Sequence, residues 1–153
     1  MSLLPAALLI GQAHAVPGEI RPMTSTVPIL PPTIEELARD LDDSDRPTRL
    51  LAARDLRRRV RVTTKAGGRP GSIAELEARA ELAALTRTVV PACISALSDP
   101  ALVTPCSDIL ARLGEPEACA PLSTALQTTE GRPRKAVERA VHRLAPVCDP
   151  ASE

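Results

Sequence analysis

Apolar residues recur at three- and four-residue spacing through most of the chain after position 32. The first such segment contains Ile34, Leu37 and Leu41. Thr33 stands directly before it, and Glu36 falls at the third helical position. This is the pattern of a capping box, in which each side chain accepts a hydrogen bond from the backbone N–H of the other residue. The spacing predicts a helix from Thr33 to about Leu41.

A second helix is predicted after the acidic turn at residues 42–45. Asp45 offers a carboxylate N-cap, and Pro47 falls in the first turn, where its missing N–H leaves no hydrogen bond unmade. The helix extends to about Val62, and the short turn makes the two helices an antiparallel hairpin. Its predicted buried face consists of Ala53, Leu56 and Val60.

A glycine-rich loop precedes a second capping box, formed by Ser72 and Glu75. It begins a helical stretch that extends to about Leu97. Pro91 falls within this stretch, where it removes one backbone donor and clashes with the preceding turn. We therefore expect a kink or break there, with a fresh helix after Val89.

The remaining segments predict a turn at residues 98–100 and a return helix over residues 101–113, with Gly114 as its C-cap. Residues 116–127 and 133–144 predict one more hairpin of the same kind. The pattern therefore indicates an all-α chain of antiparallel helical hairpins.

Composition favours the same class. The 153 residues include no Phe, Trp or Tyr, whereas β-sandwiches and barrels rely on aromatic and β-branched residues. Small aliphatic side chains must fill the core, which suits closely packed helices. Basic and acidic residues number 19 each, so that the formal net charge is zero. This balance indicates no overall attraction to nucleic acid or to an anionic membrane.

The first 15 residues resemble a secretory signal peptide. Leu3 to Ile10 form a short apolar run, and Ala13-His14-Ala15 has the small-x-small pattern of a cleavage site before Val16. The run is too short to span a bilayer. We expect an exported protein, periplasmic or secreted, although no Lys or Arg precedes the run. The alternative is the apolar N-terminus of a cytosolic protein.

Domain boundaries follow from proline and periodicity. Residues 16–32 contain five prolines and no helical period, which predicts an extended Pro-rich linker. Residues 33–145 then form the helical domain, and residues 146–153 form a C-terminal tail.

The cysteines are an even number in a small chain, which predicts two disulfides in an oxidising compartment. In the middle hairpin, Cys93 and Cys106 are equally far from the turn and lie on adjacent turns of facing helices. In the last hairpin, Pro146 is expected to end the helix, so that Cys148 folds over to meet Cys119. The alternatives are a Cys106–Cys119 bond, or four buried thiols. The spacing does not match a zinc site.

Residues 33–60 and 89–145 resemble consecutive HEAT or HEAT-like repeats. In "VVPACISALSDPALVTPCSDILARLGEPEACAPLSTALQTTEGRPRKAVERAVHRL", an "xxPLxxAL" helix precedes an acidic or Pro-containing turn, and an Ala/Leu-rich return helix ends in "LG". Ala96-Leu97 and Ala125-Leu126 recur at an offset of 29, the shorter period of the bacterial HEAT-like class, which includes bilin lyases. The hairpin "IEELARDLDDSDRPTRLLAARDL" fits the same template.

This resemblance implies a short α-solenoid of two to three hairpins, with residues 72–88 as an extra helix. It also implies a scaffold or adaptor that binds another protein, since such repeats bind many unrelated partners.

Candidate catalytic chemistry is sparse. The sequence has no P-loop, G-x-S-x-G, H-E-x-x-H or G-x-G-x-x-G motif. His142, beside Arg143 in a predicted return helix, is interpreted as a surface residue because nothing nearby in the sequence would orient it. We predict a protein that is not an enzyme and has no cofactor or metal. The alternative is an accessory or lyase-like protein that carries a cofactor on a Cys thiolate.

One candidate binding surface is a basic stripe on the second helix. Its residues project opposite the predicted buried face. A solvated face is the ordinary interpretation of such a run; the functional one is a surface for an acidic protein partner. Nucleic acid is not expected, because no aromatic side chain is present to stack on bases. The stripe consists of Arg54, Arg57, Arg58, Arg61 and Lys65.

Overall fold

The computed structural model describes residues 30–66 and 71–149. Within these ranges all regular structure is helical, which confirms the predicted all-α class. The predicted signal peptide and linker up to residue 29 lie outside the described residues, as do residues 150–153. The α-helices are α1 (Ile34–Asp40), α2 (Arg46–Thr63), α3 (Ile73–Ala96), α4 (Val103–Leu113), α5 (Cys119–Thr128) and α6 (Gly131–Cys148), with a 3-10 turn at Pro116–Ala118.

The first two predicted caps are confirmed. The Thr33 hydroxyl accepts from the Glu36 backbone N–H at 3.2 Å, and the Glu36 carboxylate accepts from the Thr33 N–H at 2.7 Å. The Asp45 carboxylate accepts from the Thr48 N–H at 3.0 Å. These bonds satisfy backbone donors that have no partner within the helix, so they fix where α1 and α2 begin.

The cap of α3 is only half a capping box. The Ser72 hydroxyl accepts from the Glu75 N–H at 3.2 Å, as predicted. The Glu75 carboxylate instead accepts from the N–H of Gly71. Gly71 has a φ of 81°, a left-handed conformation that glycine adopts without steric cost. The Glu75 carboxylate therefore binds the backbone N–H of Gly71, in the turn before α3, and not the Ser72 N–H that the capping box predicts.

The predicted break at Pro91 is wrong, since α3 continues through it from Ile73 to Ala96. Pro91 is exposed, while Val89, Val90 and Cys93 on either side of it are buried. Tertiary burial stabilises helices more than propensity does, and here it offsets one lost hydrogen bond. Residues 73–88 are therefore the first two thirds of α3 and not a separate extra helix.

Six α-helices pair as three hairpins along the described chain: α1 packs on α2, α3 on α4, and α5 on α6. The second helices of the hairpins also pack side by side, with α4 in contact with both α2 and α6. We call α2, α4 and α6 the return layer, and α1, α3 and α5 the outgoing helices. The helix α1 also contacts α3.

The core lies between the two sets of helices. The predicted buried face of α2 is confirmed, because Ala53, Leu56 and Val60 are at most 1% exposed. Gly114 ends α4 with a φ of 74°, the left-handed C-cap that was predicted. The other side chains of this core are aliphatic or Cys, and Thr63 and Ser107 are buried with them. The largest include Leu85, Leu102, Ile109, Leu110, Leu122, Val137 and Leu144.

Candidate interaction surface

Charge is separated between the two sets of helices. Of the 18 residues of α2, seven are Arg and one is Asp. The 18 residues of α6 include five Arg or Lys and one Glu. The outgoing helices α1 and α3 carry more acidic than basic residues, and α5 carries neither kind. The zero net charge of the chain therefore conceals a basic return layer.

The basic stripe predicted on α2 is exposed along its whole length. Four of its five side chains form no ion pair or side-chain hydrogen bond with any residue that the structure describes. These four are Arg54, Arg58, Arg61 and Lys65.

Arg57, the fifth residue of the stripe, is engaged within the fold. Its Nε lies 2.8 Å from the Oδ2 atom of Asp108 on α4. Asp108 also accepts from Arg112 one turn further along α4, at 3.2 Å. Partial burial by itself raises the pKa of the Asp108 carboxyl, but hydrogen bonds from Arg112 and Arg57, and then their charges, outweigh it and lower that pKa. Arg57 thus connects the first two hairpins while remaining half exposed.

A hollow of about 110 Å³ opens beside this ion pair, where α2, α4 and α6 meet. Arg139 and Arg143 line it from α6, and Thr104 lines it from α4. The Arg139 Nε donates to the backbone carbonyl of Lys135 at 3.2 Å. Arg143 has no polar partner within the described chain. The remaining lining residues are Arg57, Asp108, Ala111, Ala136 and Ala140.

Arg139 and Arg143 are site residues that the sequence alone does not predict. They are four residues apart on α6, and Ala136 and Ala140 repeat the same spacing beside them. That pattern indicates one helix face with basic and small residues. It does not reveal that α6 packs beside α4, which places Arg143 in the same hollow as Arg57.

The opposite edge of α2 has a different environment. Arg58 and Arg59 line a groove with Pro31 and Pro32, which precede Thr33, the N-cap of α1. Arg59 donates to the Pro32 carbonyl at 3.1 Å and lies 3.6 Å from the Glu81 carboxylate. The predicted stripe is therefore divided in the structure, with Arg57 facing the hollow and Arg58 facing this groove.

One of the two predicted disulfides is present. Cys119 and Cys148 are bonded, with their Cα atoms 5.7 Å apart, and this excludes the alternative Cys106–Cys119 pairing. The predicted end of the last helix is wrong, because α6 continues through Pro146 and Cys148 belongs to its last turn. The bond ties the beginning of α5 to the end of α6.

Cys93 and Cys106 face each other across the middle hairpin, as predicted, but as thiols. The bond predicted between them is absent, since both are free cysteines. A hydrogen bond with Cys106 is the largest cause, and burial the second, that raises the pKa of the Cys93 thiol well above its ordinary value. Both side chains are fully buried. A thiolate nucleophile, which the lyase-like alternative needs, is disfavoured at such a site.

His142 is exposed on α6 beside Glu138, Arg139 and Arg143. In the ranges 30–66 and 71–149, no three His, Cys, Asp or Glu side chains lie together in a metal-binding arrangement. None of the helices described here is both long enough and apolar enough to cross a bilayer. No protein-family model, curated protein or solved structure matches the chain.

Proposed function

We propose that this chain is an exported HEAT-like repeat protein that acts as an interaction scaffold or adaptor and binds an acidic protein through its return layer. The observation that carries the proposal is the separation of charge. Seven Arg on α2 and five Arg or Lys on α6 give one side of the fold a positive potential, which attracts an acidic surface and orients it.

The packing of the hairpins supports the repeat interpretation. In a solenoid of helical hairpins each repeat contacts its neighbours, and equivalent helices stack in one layer. Here α4 packs between α2 and α6. Arg49 of α2 also lies 3.0 Å from Asp99, in the turn before α4. This ion pair joins the first turn of α2 to the turn between α3 and α4, and so connects the first two hairpins.

The disulfide supports export. Disulfides persist in secreted and periplasmic proteins and are rare in the reducing cytosol. The Cys119–Cys148 bond agrees with the signal-like pattern of residues 1–15.

The uncompensated cations on α2 support a protein partner with carboxylates. Arg54, Arg61 and Lys65 are exposed and form no ion pair with an acidic residue in the described fold. Exposed charges of one sign add mainly to association rate and specificity, and their effect falls with salt. Bases of single-stranded nucleic acid stack on aromatic side chains, and the chain has none.

The test uses sodium poly-glutamate as the acidic polypeptide and the full purified chain. In the test variant, Arg54, Arg61 and Lys65 are all replaced by Gln. The matched control replaces Arg39, Arg79 and Arg87 of the outgoing helices by Gln and removes the same charge. We expect the test variant to bind at least about tenfold more weakly at low salt, with a smaller salt dependence, and the control to bind about twofold more weakly at most.

Equal loss in both triple variants would contradict the proposal, because binding would then follow total charge and not the return layer. Far-UV circular dichroism checks that each variant keeps the helix content of the wild type. Arg57 is left unchanged in both, because its ion pair with Asp108 also serves the fold.

A further inference from the structure

The hollow between α2, α4 and α6 has the dimensions and chemistry of a small binding site. A water molecule needs about 10–15 Å³ of such space, so the 110 Å³ of this hollow admits a group of several heavy atoms. Its floor is apolar and its rim is basic, a combination typical of sites that hold a ligand by a few polar contacts.

Three small side chains create the hollow. Ala111, Ala136 and Ala140 lie where α4 and α6 pack, and they are 7%, 8% and 3% exposed. A larger aliphatic residue at any of these positions would extend into the space. The methyl groups leave an apolar floor that suits the methylene groups of an acidic side chain.

The charge of the hollow is unbalanced. Arg57, Arg139 and Arg143 line it together with one carboxylate, that of Asp108. Asp108 already accepts from Arg57 and Arg112. The nearby acid on α6, Glu138, pairs with Arg134 at 3.1 Å. Neither Arg139 nor Arg143 therefore has a carboxylate partner in the described fold.

Guanidinium groups arranged in this way favour a carboxylate ligand. The planar fork of Arg matches the two oxygens of a carboxylate and donates two parallel hydrogen bonds to it. A phosphate dianion would suit the two Arg equally well, but its greater charge would be repelled more by the Asp108 carboxylate in the same hollow.

The surface beside the hollow indicates that the carboxylate belongs to a peptide chain. Arg54 and Arg61 are three residues before and four residues after Arg57, so they lie one turn away on the same side of α2. Both are exposed and without an acidic partner in the described residues. If an acidic segment places one carboxylate in the hollow, the carboxylates of its neighbouring residues come close to Arg54 and Arg61.

We propose that this hollow binds one Asp or Glu side chain of an acidic peptide segment, with Arg139 and Arg143 holding the carboxylate and Arg57 flanking it. This inference rests on the proposed function and specifies where the acidic partner is anchored.

The test measures binding of acetyl-hexaglutamate-amide to the full chain by isothermal titration calorimetry at low salt. Arg143→Gln removes one guanidinium from the hollow, and Ala136→Leu fills the hollow without changing charge. The matched control is Arg132→Gln, which removes one exposed Arg of α6 that does not line the hollow. We expect about tenfold weaker binding for R143Q and for A136L, and a change of at most about twofold for R132Q.

The other possible results distinguish failure of the hollow as the anchor from failure of the proposed function. If A136L folds and binds like the wild type, the hollow is not the anchor, and the proposed function is unaffected. The same conclusion follows if R143Q and R132Q weaken binding equally. If the wild type does not bind hexaglutamate at all, the proposed function fails together with this inference. If A136L does not fold, as judged by circular dichroism, the comparison of R143Q with R132Q decides alone.

A parallel titration with inorganic phosphate distinguishes the two oxyanions. We expect phosphate to bind more weakly than hexaglutamate and to be insensitive to A136L. Tighter phosphate binding that is lost in both R143Q and A136L would overturn the carboxylate assignment.

Discussion

Arg57 of α2 and Asp108 of α4 form a 2.8 Å ion pair that joins the first two hairpins at the edge of the basic hollow. The Asp108 side chain is 25% exposed, and Arg112 also donates to it at 3.2 Å. One carboxylate therefore holds two cations in place on the return layer. We therefore expect replacement of Asp108 to change both the stability of the fold and the arrangement of the surface.

Replacing Asp108 by Asn should lower the free energy of unfolding at pH 7 by about 1 kcal/mol, since a partly exposed pair contributes little after solvent screening. Urea unfolding followed by circular dichroism measures this change. Asp55→Asn on α2 is the matched control, because Asp55 forms no ion pair within the described residues. A loss in D55N as large as that in D108N would contradict the role of the pair.

The effect of D108N should also depend on pH. The pKa of Asp108 in the folded protein is lowered, so its stabilisation is complete above the unfolded pKa of about 3.9. It is lost as pH falls through the lower folded value. We expect the difference in unfolding free energy between wild type and D108N to shrink below about pH 4. A difference that stays constant down to pH 2 would show that the charge of Asp108 does not cause it.

The Cys119–Cys148 bond closes the last hairpin across a sequence separation of 29 residues. Cross-links of this span restrict the unfolded chain, and their removal costs about 2–4 kcal/mol. We expect the double variant C119S/C148S to be less stable than the wild type by this amount in urea. Dithiothreitol reduces this disulfide, so it should lower the free energy of unfolding of the wild type to that of the variant. The stability of the variant should not change, because Cys93 and Cys106 are already thiols.

Local signals along the chain predicted much of the fold. The caps at Thr33 and Asp45 and the left-handed Gly114 depend on residues close in sequence, and all three are confirmed. The predicted breaks at Pro91 and Pro146 are wrong for a related reason. Proline weakens a helix locally, but both helices continue through their proline. The residues around Pro91 are buried in the core, and Pro146 stands two residues before Cys148, which is bonded to Cys119.

The candidate surface was only half predicted, because it combines residues that are distant in sequence. The exposed Arg of α2 followed from helical periodicity alone. The contribution of Arg139 and Arg143 depends on the packing of α6 against α4, and no spacing within one helix encodes that packing. The ion pair of Arg57 with Asp108, 51 residues apart, was missed for the same reason.

The native protein should begin at Val16 if residues 1–15 are a signal peptide. Signal peptidases cleave after a small-x-small motif, here Ala13-His14-Ala15. N-terminal sequencing of protein purified from its own cells measures this directly. Met1 retained on material from the cytosol would contradict export, although the return layer and its charge would be unaffected.

The thiols of Cys93 and Cys106 should differ in reactivity between the folded and the unfolded protein. Because both are fully buried and the pKa of Cys93 is raised, we expect no reaction with iodoacetamide in the native protein. In guanidinium without reductant, two thiols per chain should react. Trypsin then releases both residues within one peptide, residues 88–112, since Arg87 and Arg112 flank them. Two alkyl groups on this peptide would confirm the thiols. An unmodified peptide lighter by two hydrogens would show that oxidation completes the bond between these facing neighbours, and the middle hairpin would then be cross-linked like the last one.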